Sequence, residues 1–324
     1  MDGAESRRPR RRDHGGGEAD QRVRAAWMYY IEGLTQEEIA ERLGLSRVRV
    51  LRMLAECRED GTVQFRINAR TANCIALGQT LEARYGIAHA IVVPAPVAEA
   101  GVTEAIGAAL GDYLNTVLCD GMTVGLGWGQ TLRASLKHVV SRKFDGMTVV
   151  SLLGALTRAS AFSPSEFAWR FADLLDADCY FLAAPVIAPD PMTRDLLFRH
   201  AGIEEVMARA ARLDLAIVSV GDLTPESTLF RYAMLPEVDL QSLIAAGAVG
   251  DLLCNFLDEN GVPVDHEINR RVIAASPETM RRVPHLVLAS GGWRKLKVMY
   301  AAIRLLAPRV LITDEATAEG LAAL

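Results

Sequence analysis

Thr35-Gln36-Glu37-Glu38-Ile39-Ala40-Glu41-Arg42-Leu43-Gly44-Leu45-Ser46-Arg47-Val48-Arg49-Val50 is the stretch on which the reading of this chain turns. Thr35 followed three residues later by Glu38 is a capping box, so a helix starts at Gln36. Ile39, Ala40 and Leu43 give that helix a buried face, and Gly44 ends it. Ser46 then caps a second helix, Arg47 to about Asp60, stopped by Gly61, with an apolar stripe of Val50, Leu51, Leu54 and Cys57. Counted from Gln36, a small residue falls at the fifth position (Ala40), glycine at the ninth (Gly44) and a β-branched residue at the fifteenth (Val50). Leu45 and Met53 fill the remaining apolar slots. Small, Gly and β-branched residues at those offsets suit two helices crossing steeply through a short turn, the helix-turn-helix arrangement. Just upstream, Val23, Ala26, Trp27, Tyr30 and Ile31 recur at helical spacing between Asp20 and Glu32, and Gly33 offers a C-cap.

In a helix-turn-helix the exposed N-terminal face of the last helix enters the major groove of DNA. Here that face carries Arg47, Val48, Arg49 and Arg52. Guanidinium groups pair bidentately with guanine or hold phosphates, and a valine suits a thymine methyl. Thr35, Gln36 and Ser46, at the two helix starts, complete the candidate DNA-contacting set. Thr62-Val63-Gln64-Phe65-Arg66-Ile67 alternates like a short strand and is a candidate wing. The competing reading is an ordinary helical hairpin with a charged outer face.

Working outward, the 324 residues fit two domains of ordinary size, and a hydrophobic content of 50% rules out a largely disordered protein. No uncharged apolar run reaches the roughly 18 residues a membrane span needs. The basic N-terminus has no apolar signal core behind it. Five scattered cysteines form no disulfide framework or CxxC clip, so a reducing cytoplasm is the expected home. The net charge of −5 argues against nucleic acid until the chain is divided. Residues 1–70 hold 14 Arg and 12 acidic groups, while the remainder carries 21 basic and 28 acidic groups. Seven of those arginines lie in the first 24 residues, and residues 1–19 are expected to be a disordered Arg-rich arm able to touch phosphates.

Residues 20–70 are thus assigned to the helix-turn-helix domain and residues 71–324 to a second domain. There, apolar β-rich runs alternate with helical patterns. Strands are expected at 90–93, 122–126, 147–153, 179–182, 215–220, 252–257, 286–289 and 310–313, and helices at 73–85, 102–118, 130–141, 165–176, 203–212, 236–246 and 294–306. This is an α/β, Rossmann-like pattern: a parallel sheet covered on both faces, which takes ligands beyond the carboxyl ends of its strands. The strand ends are rich in Gly and polar groups. Gly125 to Thr131, with Gly127, Gly129 and Gln130, opens a helix; its GxGxG spacing is not a dinucleotide fingerprint. Thr157 and Arg158 end the next strand, Asp222 another, Asp251 precedes a strand and Asp258 follows it. Ser290 to Lys295, including Gly291, brings an ammonium to a helix start. Anion-friendly strand ends with several carboxylates suit a phosphorylated sugar or polyol. No HExxH, GxSxG, Walker A or spaced Cys/His set is present, and no metal or cofactor is expected. His266, between Asp265 and Glu267, reads as a solvated turn.

The chain resembles the SorC family (SorC/DeoR-type) of sugar-responsive bacterial transcriptional regulators over about residues 20–324. The resemblance rests on Tyr-Tyr-Ile-Glu-Gly-Leu-Thr-Gln-Glu-Glu-Ile-Ala (29–40), Leu-Gly-Leu-Ser-Arg (43–47), Gly-Trp-Gly-Gln-Thr-Leu (127–132), Gly-Asp-Leu-Leu-Cys-Asn-Phe-Leu-Asp (250–258), Gly-Gly-Trp-Arg-Lys (291–295) and Leu-Ile-Thr-Asp-Glu-Ala-Thr-Ala (311–318). Trp-Met-Tyr-Tyr (27–30) and Val-Val-Pro-Ala-Pro (92–96) look closest to regulators of erythritol catabolism. The resemblance implies a winged helix-turn-helix domain and a sugar-phosphate-isomerase-like effector domain without enzymatic activity, assembled as a dimer or tetramer. It implies a repressor of a carbohydrate or polyol operon, released or engaged by a phosphorylated sugar or polyol. Effector contacts are implied at Gly129, Gln130, Thr131, Asp251 and Lys295, with Asp222 and Asp258 beside them. Trp293-Arg294 departs from the small or acidic residues expected ahead of Lys295. The alternative is a sugar-phosphate isomerase or deaminase with an accessory helical domain.

Overall fold

The computed structural model describes residues 15–60, 62–63, 69–94, 100–156, 163–231 and 235–324, and the chain divides into two compact units at the 68/69 boundary. The first unit contains α1 (Gly15–Tyr30), α2 (Gln36–Leu43) and α3 (Arg47–Glu59). The Thr35 capping box forms as read: the hydroxyl accepts the Glu38 N–H while the Glu38 carboxylate accepts the Thr35 N–H at 2.7 Å. Gly44 closes α2 in the left-handed conformation at φ 65°, and Ser46 accepts the Arg49 N–H to cap α3. Ala25, Ala26, Ile39, Ala40, Val50, Leu54 and Cys57 form the buried centre.

Two sequence expectations change here. Residues 15–19, expected to belong to the arm, are the first residues of α1. The outer side of α1 is apolar as well: Val23 and Trp27, with Ile31 just past the helix end, are exposed, and Ala25 and Ala26 face the core, since only small residues fit where α1 meets α3. On α3, Leu51 points outward and Met53 is buried. The expected wing lies outside the described residues apart from Thr62 and Val63, whose N–H reaches the Cys57 carbonyl at 2.8 Å.

The second unit runs α4 (Ala69–Tyr85), β1 (His89–Val93), α5 (Ala100–Val117), β2 (Thr123–Leu126), α6 (Gln130–Ser135), β3 (Thr148–Ala155), α7 (Pro164–Leu175) and β4 (Asp178–Pro185). It continues with α8 (Pro191–Phe198), α9 (Ala201–Ala210), β5 (Leu215–Val218), β6 (Val220–Asp222), α10 (Thr228–Arg231), α11 (Glu237–Ala245), β7 (Gly250–Leu252) and β8 (Asn255–Leu257). It ends with α12 (Pro277–Arg281), β9 (His285–Ala289), α13 (Leu296–Leu306), β10 (Val310–Asp314) and α14 (Glu315–Ala323). Seven strands form a parallel sheet in the order β1-β10-β9-β5-β2-β3-β4. Successive strand residues feed opposite layers, as the two-residue strand repeat requires. Ala216, Val218, Leu286, Leu288 and Leu311 pack with α9, α13 and α14, whereas Leu215, Ile217, Val287, Val310 and Ile312 pack with α5 and α7.

From β2 the chain moves one way to β3 and β4, then returns to β5 on the other side of β2 and continues to β9 and β10. The reversal places the topological switch point between the ends of β2 and β5, where doubly wound sheets open a crevice. A small antiparallel sheet, β6-β7-β8, follows β5 directly.

The single strand expected at 252–257 is therefore a hairpin, turning at Leu253 and Cys254 with φ 50° and 61°. The strand expected at 215–220 breaks at Ser219 for the same small sheet. The helix expected at 130–141 stops at Ser135, because Lys137 and His138 hydrogen-bond three residues back and the Asn115 side chain binds the His138 carbonyl and the Val140 N–H. Helices α8, α10, α12 and α14 are absent from the sequence reading. Among the described residues no helix is long and apolar enough to cross a membrane.

Candidate functional site

In the first unit, α3 presents Ser46, Arg47, Val48, Arg49 and Arg52 to solvent, with Val48 77% exposed. The capping bonds of Thr35 and Ser46 start α2 and α3, and Gln36 sits half-buried in the first turn of α2. Arg47 pairs with Glu37 at 3.6 Å and Arg52 with Glu56 at 3.0 Å, all on exposed side chains. Exposed pairs of this kind contribute under about 1 kcal/mol, so a phosphate can replace the carboxylate partner. A shallow concavity lined by Ser46, Val48, Arg49, Arg52, Met53 and Glu56 runs along the same face. Arginines flanking an apolar tip on a capped helix match the chemistry of major-groove reading.

In the second unit, a cleft of about 180 Å³ opens at the switch point. Gly129, Gln130 and Thr131, after β2, form one wall; Ser219 to Asp222, after β5, form another. Asp251 comes from β7, Leu253 and Cys254 from the hairpin turn, and Lys295 from the single helical turn Trp293–Lys295 before α13. Six of the ten sequence-derived effector candidates, Gly129, Gln130, Thr131, Asp222, Asp251 and Lys295, thus line one cavity. Gly291 lines a second concavity that shares Asp222, Glu226 and Lys295 with the first. Gly127 lies at the base of the β2 loop, donating its N–H to the Ile217 carbonyl at 2.8 Å. Asp258 stands apart from the cleft: its carboxylate accepts the Asn260 and Val262 N–H groups and holds the turn after β8. Thr157 and Arg158 lie outside the described residues. His266 belongs to another turn, meeting Ser242 and the Ile268 N–H.

Asp251 is the centre of the cleft's electrostatics. Its carboxylate is 8% exposed and accepts the Cys254 N–H at 2.9 Å. Burial pushes its pKa up to about 6, opposed by that hydrogen bond and by the Lys295 ammonium. Burial also pulls Lys295 below the ordinary lysine range, against the opposing influence of Asp222 and Asp251. The Lys295 ammonium donates to Ser290 at 3.4 Å. One cation (Lys295), three carboxylates (Asp222, Glu226 and Asp251) and the hydroxyls of Thr103, Thr131, Ser219, Ser227 and Thr228 therefore face a small volume. Such a set can hold an anionic group at one end and accept ligand hydroxyls at the other.

Sequence reasoning missed Ser219, Ser227, Leu253, Cys254 and Glu226. Glu226 pairs with Arg294 at 3.9 Å on the rim. Ser219 and Cys254 were hidden because both were assigned to continuous strands. The Pro225-Glu226-Ser227 run carries a turn signal that marks a loop but no chemistry.

A helix-turn-helix unit followed by a doubly wound unit with a polar switch-point cleft is the architecture of a DNA-binding transcriptional regulator. Residues 69–323 match the Sugar-bind family of sugar-binding domains, and residues 27–59 match sigma-70 region 4, a helix-turn-helix. The chain is 30% identical to the erythritol catabolism regulatory protein EryD of Brucella abortus, covering 92% of this chain and 95% of that one. It is 31% identical to the transcriptional regulator LsrR of Klebsiella pneumoniae, over 93% of this chain and 92% of the relative. The full-length sorbitol operon regulator SorC from Klebsiella pneumoniae shares the fold, with a TM-score of 0.70 over 94% of this chain and 99% of that chain at 23% identity. The chain belongs to the SorC family of transcriptional regulators carrying this sugar-binding domain. Relatives that are regulators set aside the alternative of an isomerase or deaminase.

Proposed function

We propose that this regulator represses a carbohydrate or polyol catabolic operon and is switched by a phosphorylated sugar or polyol bound in the switch-point cleft. The observation that carries the reading is the convergence of Gly129 to Thr131, Asp222, Asp251 and Lys295 on one cavity of about 180 Å³. That volume lies below the roughly 300–1,000 Å³ of drug-sized sites and suits a ligand of few heavy atoms. Lys295 supplies the positive charge for a phosphate, and Asp222 and Asp251 accept sugar or polyol hydroxyls. The first unit binds operator DNA through α3, with Thr35, Gln36, Ser46, Arg47, Val48, Arg49 and Arg52 on or behind the contacting face and the Arg-rich arm on phosphates. The second unit also carries oligomerisation, as a dimer or tetramer in the cytoplasm, so paired half-sites fall at helical-turn spacing. Effector binding alters operator affinity only to the extent that it favours one arrangement of the chain. The EryD relative's name points to polyols as the first ligands to test.

A thermal-shift screen of the full chain against phosphorylated tetroses, pentoses, hexoses and polyols tests the reading. A ligand at 100 times its Kd stabilises the native state by about 2.7 kcal/mol, raising the melting temperature. Lys295→Ala is expected to abolish that shift while leaving operator affinity without ligand unchanged. A shift that survives Lys295→Ala, or responds equally to the unphosphorylated compounds, rejects the phosphate assignment.

A further inference from the structure

Asp314 ends β10 and is 2% exposed, yet it touches no part of the cleft cavity. One carboxylate oxygen accepts the Gly292 N–H at 2.7 Å and the Thr317 hydroxyl at 2.7 Å; the other accepts the Thr317 N–H at 3.2 Å. The same carboxylate therefore caps α14 and fixes the loop that carries Lys295. The next bond along the loop runs from the Lys295 N–H to the Gly292 carbonyl at 2.9 Å, so Gly292 is the anchor of the lysine's own helical turn. Gly291 is required beside it, because a Cβ there would collide with the Asp314 carboxylate and with Ile106. α14 packs on this turn as well.

From α14 the contacts pass to α4. Glu315, the residue after Asp314, accepts the Asn73 side-chain N–H at 2.6 Å near the start of α4. Further along, the Tyr85 hydroxyl donates to the Leu321 carbonyl at 2.7 Å, and buried Leu81 shares a core with Ala318 and Leu321. α4 is the first helix of the second unit and the element into which the chain runs from the DNA-reading unit. Helices packed along their length move as rigid bodies, so a displacement at one end of α14 is felt by α4.

We propose that Asp314 is a positioning residue that ties the Lys295 loop to the start of α4 through α14, linking the cleft to the chain segment that leads into the first unit. The regulatory meaning of the link rests on the proposed effector role of the cleft; the link itself does not. A coupling of this kind is reciprocal: loosening either end loosens the other.

Hydrogen exchange read by mass spectrometry on the ligand-free full chain tests it with two variants. Asp314→Asn keeps the shape but loses the charge-assisted bonds, and is expected to speed exchange roughly tenfold in residues 290–297 and in residues 72–78. Strand β4, at the far edge of the sheet, stays at its native rate. Asn73→Ala removes an exposed bond, does not threaten folding, and is expected to speed exchange in residues 290–297 by about two- to threefold. A purely local cap predicts otherwise. If Asn73→Ala leaves residues 290–297 at the native rate, or if Asp314→Asn speeds β4 as much as α4, the link is overturned. Because no ligand enters, a cleft that binds no phosphorylated compound would defeat the proposed function and leave this result standing.

Discussion

Asp251→Asn separates the stability cost of the cleft from its use. The substitution keeps an acceptor for the Cys254 N–H and the side-chain volume, and removes a carboxylate that burial holds at a pKa of about 6 against 3.8 when exposed. The folded state thus binds the proton more tightly than the unfolded chain. The native protein has its full share of stability below pH 4 and loses it as pH rises from about 4 to about 6. With roughly 1.4 kcal/mol per pKa unit, the loss totals about 3 kcal/mol and is constant above pH 6. The stability of Asp251→Asn relative to the native chain should therefore be flat below pH 4, climb by about 3 kcal/mol, and level off near neutrality.

Urea unfolding at fixed protein concentration, in a Trp27→Phe background so that Trp128, Trp169 and Trp293 of the second unit report, measures that difference at each pH. Any constant offset from the amide itself cancels from the pH dependence. A difference that stays flat within about 0.5 kcal/mol from pH 4 to 7.5 refutes the reasoning, for it would mean that Asp251 ionises as an exposed carboxylate does. The same variant is expected to lose the thermal shift given by a phosphorylated polyol while melting higher without one.

Arg49→Ala is expected to weaken operator binding by about 1–3 kcal/mol in fluorescence anisotropy at fixed salt and to relax sequence preference at one base pair; Arg52→Ala should weaken all sequences alike and lower the salt slope by about one. Gly44→Ala meets no steric obstacle, but its φ of 65° costs an alanine about 1–2 kcal/mol, seen as a lower melting temperature of the helix-turn-helix unit. Thr35→Ala removes a cap and should cost about 1 kcal/mol by the same measurement. Val50→Ala opens a cavity in the fully buried centre of that unit and should destabilise it more than Leu51→Ala, whose side chain is 53% exposed.

What the sequence made legible follows from how local each signal is. The capping box at Thr35, the turn at Gly44 and the inward Val50 are fixed by residues within one or two helical turns, and all three stand where the spacing put them. The parallel sheet was legible because a strand covered on both faces must be apolar throughout, as Leu215 to Val218 and Val310 to Ile312 are. The hairpin was illegible for a physical reason. Its turn residues are Leu253 and Cys254, which avoid positive φ, so no Asn-Gly or Asp-Gly signal marks the reversal. Which face of α1 packs inward was not legible, because periodicity gives the spacing of an apolar face but not its partner. Val23, Trp27 and Ile31 keep helical register as well as Ala25 and Ala26 do, and only packing on α3 decides between them.

The misread hairpin and the perturbed carboxylate are one feature. Two consecutive left-handed residues without glycine cost on the order of 1–2 kcal/mol each, and a buried charge costs more. A relaxed turn with glycine at 253 or 254 and a neutral residue at 251 would fold more stably. Both costs instead fall within four residues, and the bond from the Cys254 N–H to the Asp251 carboxylate joins them: the strained turn aims the donor that keeps the buried acid oriented toward Lys295 and the cavity. Strain and desolvated charge concentrated at one point are what the proposed binding role of the cleft calls for, since a site that binds gives up stability where it holds its ligand. Replacing Leu253-Cys254 by Asn-Gly should raise stability and, by loosening the turn that orients Asp251, weaken ligand binding. A variant that gained stability with undiminished thermal shift would show that the turn's geometry has no part in the site.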